Sequence, residues 1–286
     1  MSSIRLKDHG DIPVTIPQGL SEDQLLDFKP FITWVSTLTN SIALQSRTAT
    51  HPFHPDPYRL TSITVQAFDI FGGTGKVGFL KAVADVSNAA GERLPGSIFL
   101  RGPSVAVLVM LIPDDVDAKA NASDSDERYA VLTVQPRVPA ASLAFAEIPA
   151  GMVDGQGSFA GAAAREMEEE LGVEIREGEL VCLSELASEL ADEGGKGGEE
   201  GERLPNAMYP SAGGCDEHIT LYSHERRVPR AQLQDWAGRL TGLREHGEKI
   251  TLRLVPMRDL WRVGARDAKC LAALALWEGL KREGKI

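Results

Sequence analysis

Cysteine is scarce in this chain. The three present, Cys182, Cys215 and Cys270, are odd in number and far apart. They form neither a disulfide framework nor the paired spacing of a zinc site, so a reducing, cytoplasmic setting is expected. Long apolar runs are lacking too. The longest, Val105 to Ile112, is eight residues, where a membrane-spanning helix needs about twenty, so no membrane partner is expected. The first residues, MSSIRLKDHG, have no apolar stretch of the kind that marks a secretory signal. Positive charge is in deficit: 30 Lys and Arg stand against 41 Asp and Glu, a net charge of −11. Phosphate contacts need clustered bases, so nucleic acid is not an expected partner.

What remains is the profile of a globular chain, 43% apolar and 25% charged, long enough at 286 residues for one or two domains. The acid is unevenly spread. Glu185 to Glu202 holds seven acids, one base and five glycines. Its second half reads as a solvated, flexible loop.

Residues 1 to about 60 read as irregular, with a short helix from Ser21 to Phe28. His51 to Tyr58, with three prolines and two histidines, reads as a loop. Ser62–Phe71 and Val77–Ser87 are rich in β-branched and aromatic residues and flank Gly72, Gly73 and Gly75, a β-hairpin pattern. Further strands are expected at Ser97–Arg101, Ser104–Ile112, Tyr129–Gln135, Ser142–Ile148, His218–Arg226 and Lys249–Val255. A helix is expected near Ser158–Leu171, with Phe159, Ala163, Met167 and Leu171 toward the core. A second, Asp267–Arg282, carries Ala268, Leu271, Leu274 and Ala275 at helical spacing. Mixed strands with few helices predict an α+β or an α/β sandwich.

The chemistry concentrates between Glu147 and Val173, EIPAGMVDGQGSFAGAAAREMEEELGV. On a helix capped by Ser158 and ended by Gly172, Glu166, Glu169 and Glu170 share one face. Like charges so stacked repel. A divalent cation between them removes the penalty, and magnesium takes carboxylates, waters and substrate phosphates as its shell.

The wider spacing resembles the Nudix box, G-x5-E-x7-R-E-U-x-E-E-x-G-U with U apolar. Gly151, Arg165, Glu166, Met167, Glu169, Glu170, Gly172 and Val173 stand at the required offsets. Gly157 stands where the box has its first Glu, which in the family braces the loop against the box Arg. That departure bears on loop rigidity more than on metal binding. Further segments, RGPSVAVL from Arg101, QPRVP from Gln135, EIPAGM from Glu147, YPSAGGCDE from Tyr209, GLREHGE from Gly242 and LVPMRDLW from Leu254, resemble plant-type ADP-sugar diphosphatases, of the Nudix ADP-ribose pyrophosphatase group.

The resemblance implies a Nudix fold with a mixed sheet, preceded by a small N-terminal β region. Residues 1–100 would serve dimerisation and base binding; residues 101–286 would be the hydrolase domain, with an acidic loop insertion at 186–205. It implies magnesium, or manganese in its place, held by Glu166, Glu170, the Ala150 carbonyl and Glu169. Arg101 and Arg137 would contact the diphosphate or sugar phosphate, and Met152 would line the substrate site. Glu217 would be the general base, with Glu166, Glu169 and Glu170 also catalytic. Trp34 would stack on the base or pack in the core. Cys215, with nothing basic beside it, is expected to be structural. The implied substrate is a nucleoside diphosphate sugar such as ADP-glucose or ADP-ribose, and the implied assembly is a homodimer. UDP-sugars, dinucleotides and non-catalytic nucleotide-sugar binding are the alternatives.

Overall fold

The structure is a computed structural model describing residues 1–71, 75–116, 127–153, 158–172, 174–194, 202–242 and 249–286. Gly157 and Val173 of the box, the glycines at 72 and 73, and residues 195–201 of the acidic segment lie outside the described residues. The chain divides into two compact units. The first is Met1–Pro103 with Gly194–Pro205 and Ser211–His218; the second is Ser104–Glu193, Asn206–Pro210 and Ile219–Ile286.

The first unit contains β1 (Ser2–Leu6), β2 (Ile12–Ile16), α1 (Glu22–Asp27), α2 (Lys29–Arg47), β3 (Arg59–Ile70), β4 (Val77–Ser87), β5 (Arg93–Leu94) and β6 (Ser97–Leu100). Residues 1–47 are therefore not irregular, while His51–Tyr58 is the loop its prolines suggest. Alternation in β2, with Ile12, Val14 and Ile16 buried, marks one face as core. Ser21 starts α1 through a capping box with Gln24, as its residue type suggests. The sequence hides α2 because its Thr, Ser and β-branched residues are weak helix formers. Tertiary burial of Phe31 and Val35, one turn apart, overrides that propensity. Ser36 and Thr39 donate back to the Ile32 and Val35 carbonyls, satisfying their hydroxyls. The sheet order is β1-β2-β3-β4-β5, with β6 on β4. Among the described strands of this sheet β2 and β3 are the pair that runs parallel, the geometry that an intervening helix permits.

The second unit contains β7 (Ser104–Pro113), β8 (Tyr129–Arg137), β9 (Ser142–Glu147), β10 (Ala150–Met152), α3 (Phe159–Leu171), β11 (Val181–Cys182), α4 (Leu183–Gly194), β12 (Ile219–Val228), α5 (Arg230–Trp236), β13 (Leu240–Thr241), β14 (Ile250–Pro256), α6 (Met257–Val263) and α7 (Ala268–Arg282). The sheet runs β11-β12-β7-β8-β14-β13, with β10 on β7 and β9 on β8. It is mixed, because β12 lies parallel to β7 while the other pairings are antiparallel. Every residue of β7 is buried. Val105, Val107, Val109 and Leu111 face α3 and α5; Ala106, Leu108 and Met110 face α4, α6 and α7. Helices thus cover both faces, giving the α/β/α sandwich of an α+β chain.

Three expectations need correction. Of the acidic loop expected at 186–205, residues 186–194 belong to α4: Leu, Glu and Ala are strong helix formers, and Leu183 is buried with Leu186 packed partly buried beside it. Phe159 is 37% exposed, so the core face of α3 is Ala162, Ala163, Met167 and Leu171. In α7 the buried stripe is Cys270, Ala273, Leu274, Trp277 and Leu280. Ala268, Leu271 and Ala275 are exposed, because Trp277 and Cys270 set the phase of the helix rather than the alanines.

Candidate active site

The site is built where α3 meets β10. Ser158 starts α3 by accepting from the Gly161 N–H at 2.9 Å. Gly172 ends it at φ 67°, a left-handed cap. With Ala163, Met167 and Leu171 buried against β7, the stripe beside them carries Glu166 and Glu170 toward β10.

Glu170 is 3% exposed, an unusual place for a carboxylate. Its two oxygens accept from the Gln135 side chain and from the Ala150 N–H, each at 3.1 Å. Burial first, then the neighbouring Glu166 charge, push its pKa up to about 8; the Gln135 and Ala150 bonds oppose this, and Glu147 adds to it. Glu166 lies against bare backbone. A Cβ built on Gly151 would fall 1.7 Å from the Glu166 carboxyl carbon, so only glycine admits that carboxylate. Glu169, by contrast, is exposed.

These residues fit a hard divalent cation. Two crowded carboxylates, one of them buried and reluctant to ionise, surround a glycine cradle on β10, beside the backbone of Ala150. A cation relieves both the desolvation and the mutual repulsion. Among the described residues no group of three or more His, Cys, Asp or Glu side chains is placed to hold a metal. Two carboxylates, a backbone carbonyl and waters is a set that magnesium accepts.

A pH effect follows. Glu170 holds its proton more tightly folded than unfolded, so between about pH 4.5 and about pH 8 the native state binds the extra proton. Rising pH through that window therefore lowers stability, by a few kcal/mol in order of magnitude. Metal-free protein is expected to melt at lower temperature at pH 8 than at pH 6, and magnesium should flatten the difference. Thermal melts with chelator and with magnesium measure this; a metal-free profile that rises with pH would contradict the burial argument.

Beside the cation cradle lies a charge cluster that the sequence did not reveal. Glu147, 4% exposed, pairs with Arg137 at 2.6 Å and Lys269 at 2.5 Å. Asp267 pairs with Lys269 at 3.0 Å and accepts from the Ile148 N–H. Gln135 and Glu147 sit within segments that carry the family resemblance and were legible there. Lys269 stands over a hundred residues away, without a local signal. Met152 closes β10 opposite Ser104, half-buried.

The remaining expected residues belong to the first unit. Arg101 and Glu217 form an ion pair at 3.3 Å. Asp216 accepts from the Arg101 and Gly102 N–H groups, which stitches the 211–218 loop to the end of β6. The Arg101 guanidinium lies 6.0 Å from the Phe79 ring centre, and among the described residues its buried Nε has no hydrogen-bond partner. Trp34 packs partly buried between two clusters of the first unit's core, 6.3 Å from Phe31. Burial pushes the Cys215 thiol up, away from the reactive thiolate. All three cysteines are free.

The second unit is thus an α/β/α sandwich whose helix α3 sets Glu166 and Glu170 over the Gly151 backbone. The chain belongs to the Nudix family: the NUDIX domain profile matches residues 120–274, just over half of it. It is similar to Nudix hydrolase 14, chloroplastic, of Arabidopsis thaliana, 39% identical over 229 residues, 79% of this chain and 65% of that protein. The chain thus spans a little under two thirds of that relative's length. A solved structure titled as an ADP compounds hydrolase overlaps 80% of this chain and 97% of its own, at 18% identity and a TM-score of 0.47. Among the described residues no helix is long and apolar enough to cross a membrane.

Proposed function

We propose that this chain is a magnesium-dependent hydrolase of nucleoside diphosphate sugars, ADP-glucose or ADP-ribose, releasing AMP and a sugar phosphate. The observation that carries the reading is the buried Glu170, crowded by Glu166 over Gly151. The substrate class rests on the YPSAGGCDE, EIPAGM and QPRVP segments and their family resemblance. Manganese is the natural substitute metal, and a homodimer in the cytoplasm belongs to the same proposal.

Glu166, Glu170 and the Ala150 carbonyl would hold the cation. Bound there, magnesium supplies positive charge for the phosphate oxygens and lowers the pKa of water. Gln135 and the Ala150 N–H fix the Glu170 carboxylate so that it need not reorganise. The Arg137 guanidinium, side chain 41% exposed, offers donors matched to a phosphate. Water adds across the P–O–P bridge: its oxygen joins one phosphorus, the bridging oxygen leaves with the other, and a carboxylate takes the proton.

Two experiments test this. Purified protein with magnesium should release AMP from ADP-glucose or ADP-ribose faster than it releases UMP from UDP-sugars or nucleoside monophosphates from dinucleotides. Release from neither ADP-sugar would refute the reading; tight binding of an ADP-sugar without turnover would identify the non-catalytic alternative that Gly157 motivates. Glu217→Gln decides the proton acceptor. As general base its loss lowers kcat by about 10²–10⁴-fold with a flattened acid limb in the pH profile; an unchanged kcat returns the role to the box glutamates.

A further inference from the structure

Lys269, in the first turn of α7, is 11% exposed at its side chain and lies between two buried acids, with Nζ 2.5 Å from Glu147 and 3.0 Å from Asp267. The second Glu147 oxygen accepts from Arg137 Nε at 2.6 Å. Asp267 also caps α7 by accepting from the Lys269 N–H at 3.2 Å, and its other oxygen accepts from the Ile148 N–H at 3.0 Å. The start of α7 is thereby tied to the chain two residues before Ala150. All of these residues lie in the second unit.

The division of Glu147 matters more than its charge. A buried carboxylate must be matched. With Lys269 on one oxygen, Glu147 needs one donor from Arg137 and takes Nε. Among the described residues Glu147 is the partner of that guanidinium, which carries five N–H groups in all. Without Lys269, both oxygens would turn to Arg137. A carboxylate and a guanidinium then favour two parallel bonds, fork to fork. That arrangement would spend the N–H groups on the protein itself.

We propose that Lys269 is a positioning residue for Arg137: by occupying one oxygen of Glu147, it keeps the arginine in a single-bond contact and leaves its guanidinium available to a substrate phosphate. The inference rests on the reading of the site as a nucleoside diphosphate site and deepens it.

The test combines calorimetric titration with a non-hydrolysable α,β-methylene ADP-ribose and steady-state kinetics on ADP-ribose, both on the full chain with magnesium. Lys269→Met should raise Kd and KM about tenfold, the loss of one charge-assisted bond to phosphate. Its kcat should change by less than about threefold. Lys269→Arg should restore wild-type values. The double variant Glu147→Gln with Lys269→Met removes the trap itself and should recover most of the affinity. Should Lys269→Met fail to fold, Lys269→Gln makes the same comparison. Variants that lower the melting temperature but bind the analogue like wild type show a merely structural lysine and overturn the inference, leaving the hydrolase reading intact. Wild-type protein that neither binds nor hydrolyses overturns both.

Discussion

Glu170→Gln is expected to lower kcat for ADP-sugar hydrolysis by about 10²–10³-fold, the scale for losing one preorganised electrostatic group. The substitution keeps shape and volume. The Ala150 N–H can still donate to the amide oxygen, so β10 stays in place. What disappears is a negative charge that burial and Glu166 make costly when no cation is present. The variant should therefore be at least as stable as wild type without metal at pH 8, while binding magnesium more weakly. Opposite signs for stability and activity separate a functional carboxylate from a structural one. Kinetics beside chelated thermal melts read both; an active variant, or one that unfolds, would remove the basis for the cation site.

Gly151→Ala is expected to reach a similar loss, about 10²-fold in kcat/KM, by a steric route. Its new methyl would lie 1.7 Å from the Glu166 carboxyl carbon and 1.8 Å from one oxygen. The backbone cannot give way, because Gly151 is held opposite Val105 in the sheet. Glu166 can, since its carboxylate is the far end of a flexible side chain on a half-buried position. It should swing out at little cost to the fold. The expected signature is a near-native melting temperature with weakened magnesium affinity, measured by titration. Full activity would mean that Glu166 is not needed where it stands.

Much of the second unit was legible in the sequence because its signals are local. Eight consecutive apolar residues in β7 declare a strand buried on both faces. Ser158 and Gly172 bracket α3 through capping chemistry carried by a few neighbouring atoms. Elements whose identity depends on distant packing were not legible. The weak intrinsic propensity of α2 yields to the burial of Phe31 and Val35, and the acids of α4 suggested solvent where Leu183 and Leu186 meet the core. The phase of α7 depended on which side chains the sheet could bury, and its alanines carry too little area to decide.

The sequence by itself determined that one helix carries three glutamates at the Nudix spacing, with a glycine ahead of it, because spacing along a helix is a property of the backbone alone. Only the tertiary structure decided what each carboxylate became. Glu170 went inside, against Gln135 and Ala150; Glu166 went over Gly151; Glu169 stayed in solvent. It also brought Lys269 and Asp267 to Glu147 across more than a hundred residues. The physical reason is that burial and charge pairing depend on separation in space, and separation in space is set by how the sheet and its covering helices pack.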